Sequence, residues 1–472
     1  MIDSNIKWGL YTDYYELSMA QGYFLSGRAD EQATFDYFFR KNPFGSGFTV
    51  FAGLQTFVEL LENFQYTDED IEYLSKQGLN KEFLAFLKDF RFRGNIFAMQ
   101  EGEIIFPNEP ILRIEGKIID CQLIESMLLN ILNYQSLVAT KAFRIKKVTK
   151  KRPFADFGLR RGQGLGAVLG SRAAIIGGAS STSNTLAGKL FDIPVSGTQA
   201  HSWIQSFDNE LEAFRTYAEV HPDNTILLVD TYDTLKYGIP NAIKVGHEMR
   251  EKGQSLKGIR LDSGDLAYLS IKARKMLDDA GLEDVKIFAS NQLNEIVIKS
   301  LADQHAKIDA FGVGTELITG KDNAALDGVY KLAVLNGKPK MKISENIIKQ
   351  TLPCKKEVIR VYGEDGKFLI DGIISIGEKD VDTLYHPLHT AKNMNIASLK
   401  TEKLLTPVIV EGVSKLEKRK PQEIHRFLEE RAELLPREHK RFVSPHLYKV
   451  GVSKKLIDQR DQLALKLKES QG

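Results

Sequence analysis

Apolar and polar positions along this chain change their period near Pro153. Before it, TDYYELSMAQGYF (12–24) has helical spacing and ATFDYFFR (33–40) alternates as a strand. Short strands broken by Gly102, Pro107 and Pro110 fill 94–116, and a long amphipathic helix, CQLIESMLLNILNYQSLVATKAFRIKKV, follows from Cys121. Strands followed by a long helix predict an α+β domain over 1–140. After Pro153, short apolar runs each end in Gly, Asp, Ser, Asn or Thr, with helical stretches between many of them. These runs are FADFG, AAIIGGASST, IPVSGT, ILLVDTYDT, GIRLDSGD, KIFASN and IDAFGVGT. About seven βα-like units with polar residues at the strand C-termini predict an α/β protein. An irregular α/β barrel, TIM-like, over 141–330 meets that pattern. A doubly wound open sheet meets it as well. KPKMKISEN (338–346) and YGEDGKFLIDG predict strands over 331–400 that return to the first domain, and QEIHRFLEERAELL predicts a helical extension over 401–472.

Composition narrows the function classes. Lys+Arg 64 against Asp+Glu 62 leaves a net charge of +2, which gives no general attraction to nucleic acid or to an anionic membrane. Any anion must be held locally. Two cysteines, Cys121 and Cys354, supply neither a disulfide framework nor a cysteine-rich zinc site, and suit a reducing cytoplasm. The opening MIDSNIKWGLYTDYYE lacks the basic-then-apolar order of a signal peptide, and AVLGSRAAIIGGA is interrupted by Arg172 well short of a membrane span.

The chemistry-bearing residues gather at the strand ends. In GIRLDSGD, Asp262 and Asp265 flank a glycine turn, where they can accept from sugar hydroxyls, hold a hydrated Mg²⁺, or cap the helix that begins near Leu266. In ILLVDTYDT, Asp230 and Asp233 are candidates for Mg²⁺ or for the side of a pyrophosphate, with helix capping as the plainer role. His201, in SGTQAHSW, has a general-base or phospho-acceptor role open to it beside a purely structural one. DFGLRRGQG sets Phe157 as a surface for a planar ligand and Arg160 and Arg161 for an anion. Gly312 and Gly314 of FGVGTE let backbone N–H groups close on a phosphate or simply make a tight turn. Asp13 and Glu16 have capping-box spacing, with Tyr14 and Tyr15 on the first turn, one available to stack on a flat ligand.

In order, TDYYELSMAQGYF, EGEIIFPNEPILRIEG, LLNILNYQSLVATKA, DFGLRRGQG, SGTQAHSW, VDTYDT, GIRLDSGDL, FGVGTELITG and DGVYKLA resemble the nicotinate phosphoribosyltransferases, over Leu10 to Glu345. The resemblance implies an irregular α/β barrel attached to an α+β domain. It implies condensation of nicotinate with phosphoribosyl pyrophosphate to nicotinate mononucleotide and pyrophosphate, in the salvage route to NAD. It further implies Mg²⁺, ATP as co-substrate through a phosphorylated histidine, and a homodimer with shared sites.

Carried over by motif, His201 is the phospho-acceptor, Asp262 holds the ribose hydroxyls with Asp265 close by, and Arg260 reaches the base or ribose. Gly314 and Thr315 bind the 5′-phosphate. Phe157 and the partner subunit's Tyr15 sandwich the pyridine, with Arg160 near its carboxylate or the phosphate. Further candidates are Asp13, Ser183, Asn184, Arg40, Lys331 and Lys342. A nicotinamide-using sibling enzyme and a non-catalytic nucleotide-binding barrel are the alternatives. Asn184, close to where the carboxylate of nicotinate would lie, favours the acid.

Overall fold

The computed structural model describes residues 6–343 and 350–469. Two compact units divide the chain: Met1–Thr140 with Ala325–Gly472, and Lys141–Ala324. Among the described residues no helix is long and apolar enough to cross a membrane. The predicted run KPKMKISEN lies outside the described residues from Ser344 onward, and the opening residues 1–5 lie outside them too.

The second unit is a six-stranded sheet in the order Ser181–Thr182, Phe154–Asp156, Ala310–Val313, Lys286–Ala289, Gly258–Leu261, Ile226–Leu228. Every neighbouring pair is parallel. Leu227, Ile259, Leu261, Ile287, Ala289 and Val313 are fully buried, as expected of parallel strands covered on both faces. Several helices of this unit start on polar side chains that accept from their first free N–H groups: Asn184, Asn209, Asp265 and Asn294. Beyond the edge strand Ser181–Thr182 a single parallel bridge joins Thr182 to Val195. A few residues on, the Gln199 side chain donates to the Ile226 carbonyl of the opposite edge strand at 3.3 Å.

Two predicted strands change character. In AAIIGGASST the apolar part belongs to the helix Gly166–Ile176, buried from Ala167 to Ile176, and only Ser181–Thr182 is strand. A short, uniformly apolar run carries no period by which helix and strand separate. IPVSGT contributes the one bridge at Val195 rather than a full strand.

The first unit holds a seven-stranded antiparallel sheet built from both ends of the chain. Its order is Lys338–Pro339, Gly328–Leu335, Gln32–Phe39, Leu112–Lys117, Asn95–Ala98, Thr406–Val410, Val413–Ser414. A further sheet runs Asn393–Asn395, Thr383–Tyr385, Val450–Ser453, Phe368–Ser375, Lys356–Tyr362, Thr401–Lys403. The expectation of a purely helical tail is therefore corrected. Helices Pro421–Leu434 and Lys454–Glu469 are present, but strands from the same region complete both sheets. The predicted N-terminal helix runs Tyr14–Leu25, without a capping bond from the Asp13 side chain. Glu16 turns inward instead and accepts from Thr12 Oγ1 and from the Ser126 N–H, at 2.5 and 2.8 Å.

Candidate active site

Three neighbouring strands of the second unit run out into a polar side chain: Asp230 two residues past Leu228, Asp262 directly after Leu261, and Ser290 directly after Ala289. Parallel register brings these side chains to one edge of the sheet. Like Ser290, Asp230 is buried. Its Oδ1 lies 3.2 Å from His201 Nε2, and its Oδ2 accepts from the Asp262 N–H at 2.8 Å and from Ser263 Oγ at 2.6 Å. His201 opens the short helix His201–Gln205 and keeps its side chain 39% exposed. That exposure leaves the ring accessible from solution while a buried carboxylate fixes its direction.

Asp262 is arranged differently. Its Oδ1 accepts from Arg260 Nη2 at 3.0 Å and from the Ser290 hydroxyl, whereas its Oδ2 has no hydrogen-bond partner among the described residues. One oxygen is held by the protein and the other is available to a ligand. Arg260 also donates from Nε to Ser290 Oγ at 2.8 Å and from Nη1 to Thr198 Oγ1 at 2.9 Å, and its guanidinium carbon lies 5.6 Å from the centroid of the Phe157 ring.

Phe157 is placed by its neighbours. Its N–H donates to Val313 O at 2.8 Å, and its ring lies on Gly312, where an added Cβ would come within 2.4 Å of it. Glycine at that position is a requirement of the ring's position. Asp156, just before it, is fully buried, and burial pushes its carboxyl above the usual range. Three donors offset that cost: the Gly158 N–H, Ser171 Oγ and Thr182 Oγ1, all within 2.7–2.8 Å. Asp156 thus ties the Phe157 turn to the next strand and helix, a role that its place at a strand end signalled but that sequence reasoning passed over. Ser290 and Thr198 were missed too, although KIFAS has the same strand-then-polar form as GIRLD.

Several predicted site residues have plainer positions. Asp265 caps the helix Leu266–Asp279, accepting from the Tyr268 N–H at 3.0 Å, and Asp233 accepts from the Lys236 N–H at 2.9 Å. Asn184 is buried and caps the helix Thr185–Phe191 with its oxygen, and its amide nitrogen lies 3.3 Å from Ser171 Oγ. Ser183 donates its N–H to Asp156 O, Arg160 is exposed on the turn, and Gly314 and Thr315 follow the strand Ala310–Val313. Of the two residues expected at Mg²⁺, Asp230 has both oxygens, and Asp233 one, already in contact with protein groups. Among the described residues no cluster of three His, Cys, Asp or Glu side chains is arranged to hold a metal.

Tyr15, Arg40, Lys331 and Lys342 belong to the first unit. Tyr15 is half exposed, and burial together with Glu125 raises its hydroxyl pKa. Burial lowers the Lys331 ammonium from the usual lysine range; Glu125 opposes this, and Arg40 and Lys342 add repulsion. Arg40 and Lys331 line a first-unit cavity of about 870 Å³. A half-buried lysine beside two other cations favours an anion at that place.

A parallel α/β unit whose strand C-termini carry an imidazole–carboxylate pair, an ion-paired carboxylate with one free oxygen and an aromatic surface defines an α/β enzyme. Family models described as the nicotinate phosphoribosyltransferase (NAPRTase) N-terminal domain, family and C-terminal domain match residues 10–133, 153–369 and 355–460. The nicotinate phosphoribosyltransferase of Bacillus subtilis (strain 168) is 43% identical over 94% of this chain and 92% of its own length. Nicotinate phosphoribosyltransferase 1 of Arabidopsis thaliana is 36% identical over 95% and 92%. The crystal structure of human nicotinic acid phosphoribosyltransferase superposes with a TM-score of 0.87 at 30% identity, covering 96% of this chain and 99% of that one. The chain belongs to the nicotinate phosphoribosyltransferase family.

Proposed function

We propose that this chain condenses nicotinate with phosphoribosyl pyrophosphate, forming nicotinate mononucleotide and pyrophosphate in NAD salvage. The observation that carries the reading is the strand-end array of the second unit. There Asp262 is held through one oxygen by Arg260 and Ser290 and presents the other. In this reaction the pyridine nitrogen forms a bond to ribose C1 as the C1–O bond to pyrophosphate breaks, so positive charge develops on the sugar. A carboxylate fixed beside the ribose stabilises that charge, and a fixed group loses little to reorganisation. Phe157 offers its face to the pyridine, and Arg260 above the ring faces the anionic side of the substrate. Gly314 and Thr315 are assigned to the 5′-phosphate, with Arg160, Ser183 and Asn184 at the edge of the site. Asp265 and Asp233 are assigned to helix caps that hold the turns.

Mg²⁺ and ATP complete the proposal. Mg²⁺ keeps most of its waters and takes substrate phosphates as ligands, so it is proposed to enter the site with phosphoribosyl pyrophosphate. His201 is the proposed phospho-acceptor. The Asp230 carboxylate selects the tautomer with hydrogen on Nε2 and leaves the Nδ1 lone pair for a phosphoryl group. A homodimer is proposed, in which the partner subunit's Tyr15 covers the pyridine and Arg40, Lys331 and Lys342 supply cations for phosphates. We also read the parallel unit as an irregular barrel. The Val195 bridge beyond one edge and the Gln199 bond to Ile226 at the other support that reading. A cytoplasmic location suits two buried, unpaired cysteines.

His201→Ala is expected to abolish the stimulation of turnover by ATP and to leave ATP-independent transfer. Single-turnover and steady-state rates with and without ATP check this; unchanged stimulation removes His201 from the ATP step.

A further inference from the structure

We propose that Ser290 is a positioning residue for the transfer reaction, fixing Asp262 and Arg260 as one rigid pair; this rests on the assignment of Asp262 to the ribose. The ladder pairs Ala289 with Leu261, and the Ser290 N–H continues it by donating to Leu261 O at 3.0 Å. The Ser290 side chain therefore leaves the sheet beside Asp262. It is 4% exposed, too buried to touch a ligand broadly, and its hydroxyl both donates and accepts within the protein. Oγ accepts from Arg260 Nε at 2.8 Å and donates to Asp262 Oδ1, the same oxygen that Arg260 Nη2 reaches at 3.0 Å. The three side chains close a ring of hydrogen bonds.

That ring has a consequence for Asp262. An arginine and an aspartate two residues apart on a strand end keep several rotatable bonds, and their pairing alone leaves the carboxylate free to swing. A third group fixed to the backbone ladder removes that freedom and directs the unpartnered Oδ2 to one place. The chain beyond Ser290 is consistent with a position held for a purpose. Asn291 and Gln292 follow at φ 88° and 44°, two successive non-glycine residues in the left-handed region. Such strain persists only where the surroundings determine it. The turn lets the chain leave the sheet directly after the serine.

The test compares Ser290→Ala, Ser290→Thr, Asp262→Ala and the double variant, with nicotinate mononucleotide formation and the thermal midpoint measured for each. Ser290→Ala is expected to lose roughly 10- to 100-fold in kcat, the worth of a hydrogen bond to a charged group. Its midpoint should stay close to that of the parent, and Ser290→Thr, which keeps the hydroxyl, should recover much of the loss. In the Asp262→Ala background the serine change is expected to have little further effect, because the serine acts through that carboxylate. Should the alanine variant not fold, Ser290→Cys, of similar size but a weak hydrogen-bonding group, carries the same expectation. An Ser290→Ala enzyme as fast as the parent overturns the proposal. So does an equal loss with and without Asp262. If Asp262→Ala is itself fully active, the ribose assignment fails first and takes this inference with it.

Discussion

Two clusters in this chain are built from the same side-chain types and do opposite things with them. In the first unit Arg360 is completely buried and donates to both oxygens of Asp371, to Glu103 and to the Ile104 carbonyl, all within 2.5–2.9 Å. Arg431 binds Glu103 and Glu402 on the same network, and Tyr448 donates to Asp371 at 3.1 Å. Burial and the Asp371 charge hold the Glu109 carboxyl well above its usual range. Every arm of that arginine is used. In the second unit Arg260 is paired as fully, but it grips only one oxygen of Asp262, and the His201 ring on the same array stays half exposed. Pairing of charge does not mark function. What sets the second cluster apart is an acceptor left open at the carboxyl end of parallel strands.

The largest effect should come from breaking the closed cluster. Arg360→Ala leaves Asp371 and Glu103 buried without their cation, which should cost about 3–5 kcal/mol of stability. Denaturant unfolding checks this, and turnover per folded molecule should be retained; a stable variant with lost turnover would blur the contrast between the clusters. Next comes a pH effect in the same unit. Burial is the main cause that pushes Asp120 up to about 6 from 3.8, with the Arg93 N–H opposing it. A raised carboxyl pKa contributes stability below the unfolded value and loses it as pH rises through the folded one. Asp120→Asn should therefore gain on the parent in thermal midpoint as pH rises from about 4 to about 6; a constant difference across that range would show the group to be unperturbed. The smallest effect concerns the proposed shared site. Tyr15→Ala should weaken nicotinate binding by about 0.5–1.5 kcal/mol, the worth of an aromatic contact, and mixing it with an inactive partner variant should restore some activity if sites are shared.

Much of the second unit was legible because parallel strands announce themselves as apolar runs that stop at a polar residue. Asp230, Asp262 and Phe157 were found this way, and the structure brings them together with His201 and Arg260. What the pattern lacked was direction. Asp262 and Asp265 read alike in GIRLDSGD, yet one presents a free oxygen and the other satisfies a helix N-terminus. Capping and ligand binding demand the same residue type, so only geometry separates them. The same ambiguity made Asp230 a metal candidate, whereas its oxygens hold His201 and the Asp262 turn. The tail was misjudged for another reason. Its strands are short, three residues at Thr401–Lys403 and five at Thr406–Val410, and each needs a partner distant in sequence, Lys356–Tyr362 for the first and Asn95–Ala98 for the second.

The central claim is that Asp262, held through one oxygen and open at the other, supports transfer of the ribose to nicotinate. Pyrophosphate release from phosphoribosyl pyrophosphate, measured with nicotinate and with nicotinamide for the parent and for Asp262→Ala, tests it most directly. The parent should turn over with nicotinate, and the variant should fall roughly 10²–10³-fold in kcat while remaining folded. A folded Asp262→Ala enzyme with the parent's rate, or a parent that uses nicotinamide in preference to nicotinate, would contradict the account.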